Sequence, residues 1–117
     1  MEVTIEHIPS SNPAGILLVA ISGRLDTGSA PVFDARLAPE LARPQPHILV
    51  DLGTVTYISS AGLRSILQLV KHAAANRGRV GLFGAQPHIL EVVEISGFPS
   101  LLDLYPDRTT ALSQHAQ

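Results

Sequence analysis

The sequence contains no cysteine, and this absence excludes disulfides, thiol nucleophiles and thiolate metal sites. It also suits a reducing compartment. The N-terminus has no basic stretch followed by an apolar core, so no signal peptide is predicted. The longest apolar run, GILLVAI, is far too short to cross a bilayer. We therefore expect a soluble, cytoplasmic protein.

Charged side chains are also scarce, at 15% of the 117 residues, and the formal net charge is −2. A chain with this charge has no basic field to attract a phosphate backbone, so a large nucleic-acid surface is not expected. Apolar residues make up 45% of the composition, which is not typical of a disordered chain. We expect residues 1–117 to form a single domain with one ordinary core.

The common signatures of catalytic and nucleotide-binding sites are missing as well. There is no Walker A loop, no glycine-rich dinucleotide turn and no G-x-S-x-G nucleophile elbow. The five histidines lack the spacing of helix-borne metal ligands and are interpreted as surface or strand-edge residues. They are His7, His47, His72, His88 and His115. We therefore expect no enzymatic activity, no cofactor and no metal.

The hydrophobic pattern predicts strands at EVTIEHI, at Ile16 to about Ser22, at HILVDL and at RVGLF. The first two strands, joined by a loop rich in turn residues, are expected to be antiparallel neighbours. Two segments are ambiguous. Residues 55–58 either extend the third strand or form a separate bridge, and LLDLYP is either a short strand or a turn.

Four helices are predicted between and after these strands. The first begins near Pro31 and either ends near Ala38 or kinks there, because Pro39 interrupts its stripe. The second and strongest has an apolar stripe and is followed by Gly78. The stripe consists of Leu63, Ile66, Leu67, Val70 and Ala74. The third is PHILEVVEIS, and the last is capped by Thr109 or Thr110. This alternation predicts an α/β fold with a mixed sheet of four or five strands.

Two adjacent serines, Ser59 and Ser60, stand where the third strand gives way to the strongest helix. In the simplest interpretation one of them is the helix cap, which contributes about 1 kcal/mol. A cap needs only one serine, and it does not explain Gly62, because a glycine in a helix costs about 1 kcal/mol relative to alanine. Gly62 indicates either a tight turn or a close approach of another group to the backbone.

The alternative interpretation of the serines is a phosphoacceptor. A serine at the mouth of a helix is exposed, and a helix N-terminus tolerates the roughly −1.5 to −2 charges that a phosphate adds. A partner surface of Ala61, Gly62 and Leu63 would not tolerate them. The two interpretations are compatible, since a serine can be a cap and an acceptor in turn.

A different class of phosphorylated protein is suggested by the segment ILVDL. Its Asp51 ends a predicted central strand, as does the phosphoacceptor aspartate of a response-regulator receiver. Receivers also need a pair of acids after the first strand and a lysine late in the chain. Here the first strand is followed by IPSSNPAG, and the only lysine, Lys71, lies within a helix. We therefore do not favour a receiver.

Three segments together resemble the anti-sigma-factor antagonists, which are STAS-domain proteins. SGRLDTGSAPVFDARL resembles the family's G-x-L-D motif and first helix, and HILVDLGTVTYISSAGLRSIL resembles its central strand and D-S-[ST]-G-L motif. RVGLFGAQPHILEVVEISGFPSLLDLY resembles the strand, helix and Gly-Phe segment that follow. The resemblance implies a STAS-like α/β domain with about four helices and no catalytic activity.

The resemblance implies that a serine-kinase anti-sigma factor phosphorylates Ser60, with Ser59 as the alternative acceptor, and that a PP2C-type phosphatase removes the phosphate. The unphosphorylated protein would bind the kinase and free a sigma factor. Ser59 replaces the family's aspartate and Ala61 replaces its second Ser or Thr, whereas Gly62 and Leu63 match it directly. The expected partner surface is Asp26, Thr27, Ser59, Ser60, Ala61, Gly62, Leu63 and Arg64. The alternative role is that of an accessory STAS subunit of a membrane transporter ATPase, or another constitutive binding module.

Overall fold

The computed structural model describes residues 1–10, 15–44 and 46–115. The elements run in the order β1 (Glu2–Ile8), β2 (Ile16–Leu25), α1 (Ala30–Leu37), β3 (His47–Ile58), α2 (Ser60–Ala75), β4 (Arg79–Phe83), α3 (Pro87–Ile95), β5 (Asp103–Tyr105) and α4 (Arg108–His115). Short 3₁₀-helical segments at Ala38–Ala42 and Phe98–Ser100 follow α1 and α3. The predicted order of strands and helices is confirmed, although the predicted loop between β1 and β2 lies mostly outside the described residues.

The five strands form one mixed sheet in the order β1-β2-β3-β4-β5. The β1–β2 pair is antiparallel, as predicted, and the pairs from β2 to β5 are parallel. The LLDLYP segment contributes the short strand β5, and residues 55–58 continue β3 without interruption. Because the chain crosses the sheet steadily in one direction, right-handed crossovers place α1, α2 and α3 on the same face.

Each face of the sheet has its own apolar core. Leu17, Val19 and Ile21 of β2 belong to the larger cluster, which includes residues of α1, α2 and α3. Ile16 and Leu18 belong to the smaller cluster, which includes Ala111 of α4. This is the alternation expected along a strand that is buried on both faces. The last helix therefore covers the face that the first three helices leave open.

The structure corrects the predicted end of β2, which continues three residues past Ser22 to Leu25. The additional residues, Gly23 to Leu25, pair with the last part of β3, and the register shifts between Gly23 and Arg24. The sequence GRL has no apolar alternation, so the extension depends on the neighbouring strand. Its consequence is that β2 and β3 end side by side.

The apolar stripe of α2 is only partly as predicted. Ile66 and Val70 are buried, but Leu63 and Leu67 are half-buried and Ala74 is exposed. The helix instead turns a stripe of neighbouring residues to the core. Its buried residues are Gly62, Ser65, Ile66, Leu69, Val70 and Ala73. Gly62 lies against β2, and this contact at the first turn sets the rotation of the helix.

Two helix ends also differ from the prediction. The residue with left-handed backbone after α2 is Arg77, with φ of 62°, rather than Gly78. Gly78 is needed for another reason, since a Cβ there would lie 2.0 Å from the carbonyl oxygen of Pro46. At the start of α4 neither Thr109 nor Thr110 is the cap. Asp107 fills this role, because its carboxylate accepts the backbone N–H of Thr110 at 2.8 Å.

His115 lies in α4 and is fully buried, so the interpretation of every histidine as a surface or strand-edge residue is wrong. Its ring packs edge-on against His47 of β3, with centroids 5.6 Å apart, and against Tyr105 of β5. Asp103 and Arg79, which pair with each other at 2.7 Å, lie beside it. The pKa of His115 is lowered from 6.5 to about 4, chiefly because burial disfavours the charged ring, and also because Arg79 and His47 would repel it.

The stability of the fold should therefore depend on pH through His115. Its pKa is lower in the folded than in the unfolded chain, so the unfolded chain binds the proton more readily. Stability is fully present above about pH 6.5 and is lost as the pH falls towards 4. We expect urea denaturation to show a loss of about 2 kcal/mol through this group between about pH 7 and pH 5.

This loss should be smaller in His115→Leu, and His88→Gln, which alters an exposed histidine, should keep it. An equal loss in the parent and in His115→Leu would assign the pH dependence to other groups.

Candidate functional site

The candidate site lies where β2 and β3 end together and where the next two helices begin. Leu25 and Ile58 are paired at the carboxyl ends of these strands. The backbone N–H of Ser59 donates to the carbonyl of Leu25 at 2.9 Å, which joins the start of α2 to the loop after β2. The structure therefore brings the two predicted parts of the site, residues 26–27 and 59–64, to one end of the sheet.

Ser59 is the N-cap of α2. Its backbone is extended, with φ of −90° and ψ of 175°, and its Oγ accepts the N–H of Gly62 at 3.3 Å. The side chain is half-buried. The cap that the sequence left open between the two serines thus falls on Ser59.

Ser60 is the first residue of α2 and is exposed. Its hydroxyl makes no hydrogen bond to any residue within 1–10, 15–44 and 46–115. The adjacent serines therefore differ in role. The Ser59 hydroxyl satisfies a backbone donor of the helix, whereas the Ser60 hydroxyl faces solvent.

Gly62 is buried because the start of α2 lies directly on the end of β2. A Cβ at this position would lie 2.4 Å from the carbonyl oxygen of Leu25 and 3.1 Å from Cγ2 of Ile58. The close approach that the sequence indicated is thus made by the protein's own strand. As a consequence, the flat patch expected at Ala61, Gly62 and Leu63 is reduced to the half-buried side chains of Ala61 and Leu63.

Asp26 organises the loop between β2 and α1. Its Oδ1 accepts the backbone N–H groups of Gly28 and Ser29, each at 3.1 Å, and the Ser29 hydroxyl at the same distance. The pKa of Asp26 is lowered, chiefly by the backbone hydrogen bond from Ser29. Thr27 is exposed next to it. The Asp26 carboxylate is thus a turn cap in the isolated chain, and Thr27 presents its side chain to solvent.

Arg24 and Tyr57 were not predicted and lie at the same end of the sheet. They are paired across β2 and β3, and the guanidinium carbon of Arg24 lies 4.2 Å from the centre of the Tyr57 ring. Arg24 also donates to Asp26 at 3.4 Å. Tyr57 is 42% exposed, which is high for an aromatic side chain. The stacking is a cation–π contact, and tyrosine and arginine are both residue types enriched at protein interfaces.

The last residue of the predicted surface, Arg64, is exposed on α2. It makes no ion pair or hydrogen bond with a residue that the structure describes. Residues 24–29 and 59–64 contain two positively charged side chains, Arg24 and Arg64, and one negatively charged side chain, Asp26. These two segments together therefore carry one excess positive charge, although the whole chain is slightly acidic.

Asp51, the acid considered as a receiver phosphoacceptor, is not at a strand end. It lies within β3, half-buried, and its carboxylate accepts the N–H of Gly53 at 2.8 Å. The described residues hold no group of three or more His, Asp or Glu side chains arranged to bind a metal. None of their helices has the length and apolar character required to span a membrane.

The matching family model decides the relationship of this chain to known proteins. The model is that of the STAS domain, and it matches residues 7–111. The chain belongs to the STAS domain family. This agrees with the resemblance of its sequence motifs and with the mixed five-stranded sheet.

One known protein is similar to this chain in sequence, and two solved structures are similar to it in fold. A Bordetella bronchiseptica protein named as an anti-sigma factor antagonist, BtrV, is 33% identical over 95% of this chain and 91% of its own length. The anti-sigma factor antagonist STAS protein of Planctomyces limnophilus superimposes with a TM-score of 0.85 at 17% identity, over 98% of each chain. The Bacillus cell fate determinant SpoIIAA in its phosphorylated form superimposes with a TM-score of 0.72 at 16% identity, over 97% of this chain and 98% of its own.

Gly62→Ala should destabilise this STAS domain. The added Cβ meets a backbone atom of Leu25, which cannot move without disturbing β2. We expect a loss of about 2 kcal/mol in the free energy of unfolding, despite the better helix propensity of alanine. Gly28→Ala is the matched control, because its Cβ would meet nothing closer than 3.6 Å. If Gly62→Ala were as stable as the control, the contact with Leu25 would not constrain the helix.

Ser59→Ala and Ser60→Ala should separate the cap from its neighbour. Loss of the Ser59 hydroxyl leaves the N–H of Gly62 without its acceptor, so urea denaturation should show a loss of about 1 kcal/mol. Ser60→Ala should change the stability by less than about 0.5 kcal/mol, because the hydroxyl is exposed. The reverse order of the two losses would place the cap on Ser60.

Proposed function

We propose that this protein is an anti-sigma factor antagonist that acts by partner switching, and that reversible phosphorylation of Ser60 controls it. In its unphosphorylated form it binds a serine-kinase anti-sigma factor and releases the sigma factor. The kinase then phosphorylates Ser60, the complex dissociates, and a PP2C-type phosphatase restores the binding form. The protein itself acts as a binding module rather than as a catalyst. Its likeness to BtrV, which is named as an anti-sigma factor antagonist, supports the antagonist role.

The observation that carries the proposal is the division between the two serines. A kinase needs a hydroxyl that is exposed to it. The hydroxyl should also make no hydrogen bond within the protein that phosphorylation would break. Ser60 is exposed and has no partner in the described part of the chain, so its hydroxyl meets both conditions. Ser59 is half-buried and already accepts a hydrogen bond from Gly62. This favours Ser60 over Ser59 as the acceptor.

The fold can accept the phosphate without rearrangement. Ser60 lies in the first turn of α2, where the helix dipole and the free backbone N–H groups favour negative charge. The first turn holds no acidic residue that would repel it. The phosphorylated form of SpoIIAA retains the same fold as this chain, which supports this expectation.

The charge at the site gives a physical reason for switching. Before phosphorylation, Arg24 and Arg64 outweigh Asp26, and the proposed partner surface carries a small positive charge. A phosphate adds about −1.5 to −2 charges, which reverses the sign. An acidic partner surface that fits the first form is then repelled by the second, and the added charge must also be desolvated at the interface.

The proposal is tested first by mapping the phosphate. Purified protein is incubated with magnesium, ATP and lysate of the host cell, and phosphopeptides are located by mass spectrometry. We expect phosphate on Ser60, retained in Ser59→Ala and lost in Ser60→Ala. Phosphate on Ser59 alone would move the acceptor by one residue. No phosphate at either serine, in lysate that phosphorylates another substrate, would contradict the phosphoswitch and favour a constitutive binding role.

The binding step is tested with the kinase that this experiment identifies. Ser60→Ala should bind it as tightly as the parent protein, because the exposed hydroxyl adds little to an interface. The phosphorylated protein should bind more than about tenfold more weakly, and Ser60→Asp should be intermediate because it carries less charge. Equal affinities for the parent, Ser60→Asp and the phosphorylated protein would rule out Ser60 as the switch.

A further inference from the structure

We propose that a phosphate on Ser60 captures the side chain of Arg64 within the same helix. Phosphorylation would then remove a cation from the partner surface at the same time as it adds an anion. This inference rests on the phosphorylation of Ser60 proposed above, and it adds an intramolecular partner for the phosphate.

The positions of the two residues on α2 carry the inference. Ser60 and Arg64 are four residues apart in one continuous helix, so their side chains are neighbours on the same face. Helical side chains also lean towards the N-terminus, which directs the long arginine stem back over the first turn. Both residues are exposed, so no other element lies between them.

The Arg64 guanidinium is available to a phosphate, whereas Arg24, the other arginine of residues 24–29 and 59–64, is already engaged. Arg64 has no ion pair or hydrogen bond with any described residue. Arg24 is held over the ring of Tyr57 at 4.2 Å and donates to Asp26 at 3.4 Å. Any phosphate that bound Arg24 would have to draw it away from both, whereas it would compete with no described residue for Arg64.

The chemistry of the pair is favourable. A guanidinium presents a planar fork of N–H donors, and a phosphate presents three acceptor oxygens, so two parallel charge-assisted hydrogen bonds can form. An acid placed four residues before a base is also the better orientation for an ion pair in a helix. Because the pair stabilises the doubly charged phosphate, it should lower the second pKa of the phosphoserine from its ordinary value of about 6.

The capture gives the switch two effects from one modification. In the unphosphorylated protein, the exposed Arg64 can donate to an acidic group on the partner. In the phosphorylated protein, the same guanidinium is held against the phosphate and lost to the partner. The partner surface would thus lose an attractive contact as well as gain a repulsive one.

The test uses protein with phosphoserine incorporated at position 60 during synthesis, so it needs no kinase. The second pKa of the phosphate is measured by phosphorus NMR in the full-length chain, with and without Arg64→Gln. We expect this pKa to be about 0.3–0.6 units higher in Arg64→Gln than in the parent. The difference should largely disappear at about 1 M salt, since the pair is exposed. Arg64→Lys should retain part of the effect, because it keeps the charge but not the fork.

Two matched variants control for the general field of the protein. Lys71→Gln removes a more distant exposed cation of α2, and Arg24→Gln removes the cation held on Tyr57. Both should leave the pKa of the phosphate nearly unchanged. An unchanged pKa in Arg64→Gln, or an equal shift in Arg24→Gln, would overturn the capture by Arg64. Neither result would bear on whether a kinase phosphorylates Ser60, so the two proposals fail separately.

Discussion

The close contact between the start of α2 and the end of β2 fixes the position of the whole candidate site. Gly62 allows the helix to begin against the carbonyl of Leu25, at a distance that no residue with a Cβ could reach. The N–H of Ser59 donates to the same carbonyl. One strand end thus receives both the backbone of the cap residue and the first turn of the helix. These two contacts fix the start of α2, and they therefore also fix the direction in which the Ser60 side chain projects from the surface.

The two neighbouring serines occupy positions that suit two different roles, one structural and one, as proposed, chemical. A cap must hold its oxygen towards the helix, whereas a group that is modified must face outward. A residue with extended backbone followed by a residue with helical backbone satisfies both requirements, since their side chains leave the chain in different directions. Ser59 and Ser60 occupy this pair of positions. The helix keeps its cap whether or not the exposed hydroxyl is modified.

Much of the fold could be predicted because the relevant signals are local. Alternation, helical periodicity and the proline at the start of α1 act within a few residues, so the order of elements and the antiparallel first pair followed from them. Contacts between distant segments could not be predicted in this way. Helical periodicity alone cannot separate a stripe containing Ala74 from one containing Ala73, because the contact at Gly62 decides the rotation. The burial of His115 likewise depends on His47 and Tyr105, which only the folded sheet brings near.

For the site, the sequence pattern indicated the two serines, the glycine and the loop acid. It did not indicate which serine caps the helix, because both have the same side chain and the choice depends on backbone angles. Arg24 and Tyr57 were missed because their proximity comes from the pairing of the extended end of β2 with β3. The segments RLD and TYI carry no sign of this pairing when each is taken alone.

The cap residue has a consequence for the rate at which partners meet. An aspartate at position 59, as in the family motif that the sequence resembles, could accept the same N–H of Gly62 and would add a negative charge beside Ser60. With serine there, the cap is neutral, and the one positive charge that Arg24 and Arg64 have in excess of Asp26 remains. Opposite charge on an approaching partner raises the rate of encounter, and this effect weakens as salt increases. A single exchange at the cap would therefore alter how fast the partner arrives, while the strands and helices that present the site stay the same.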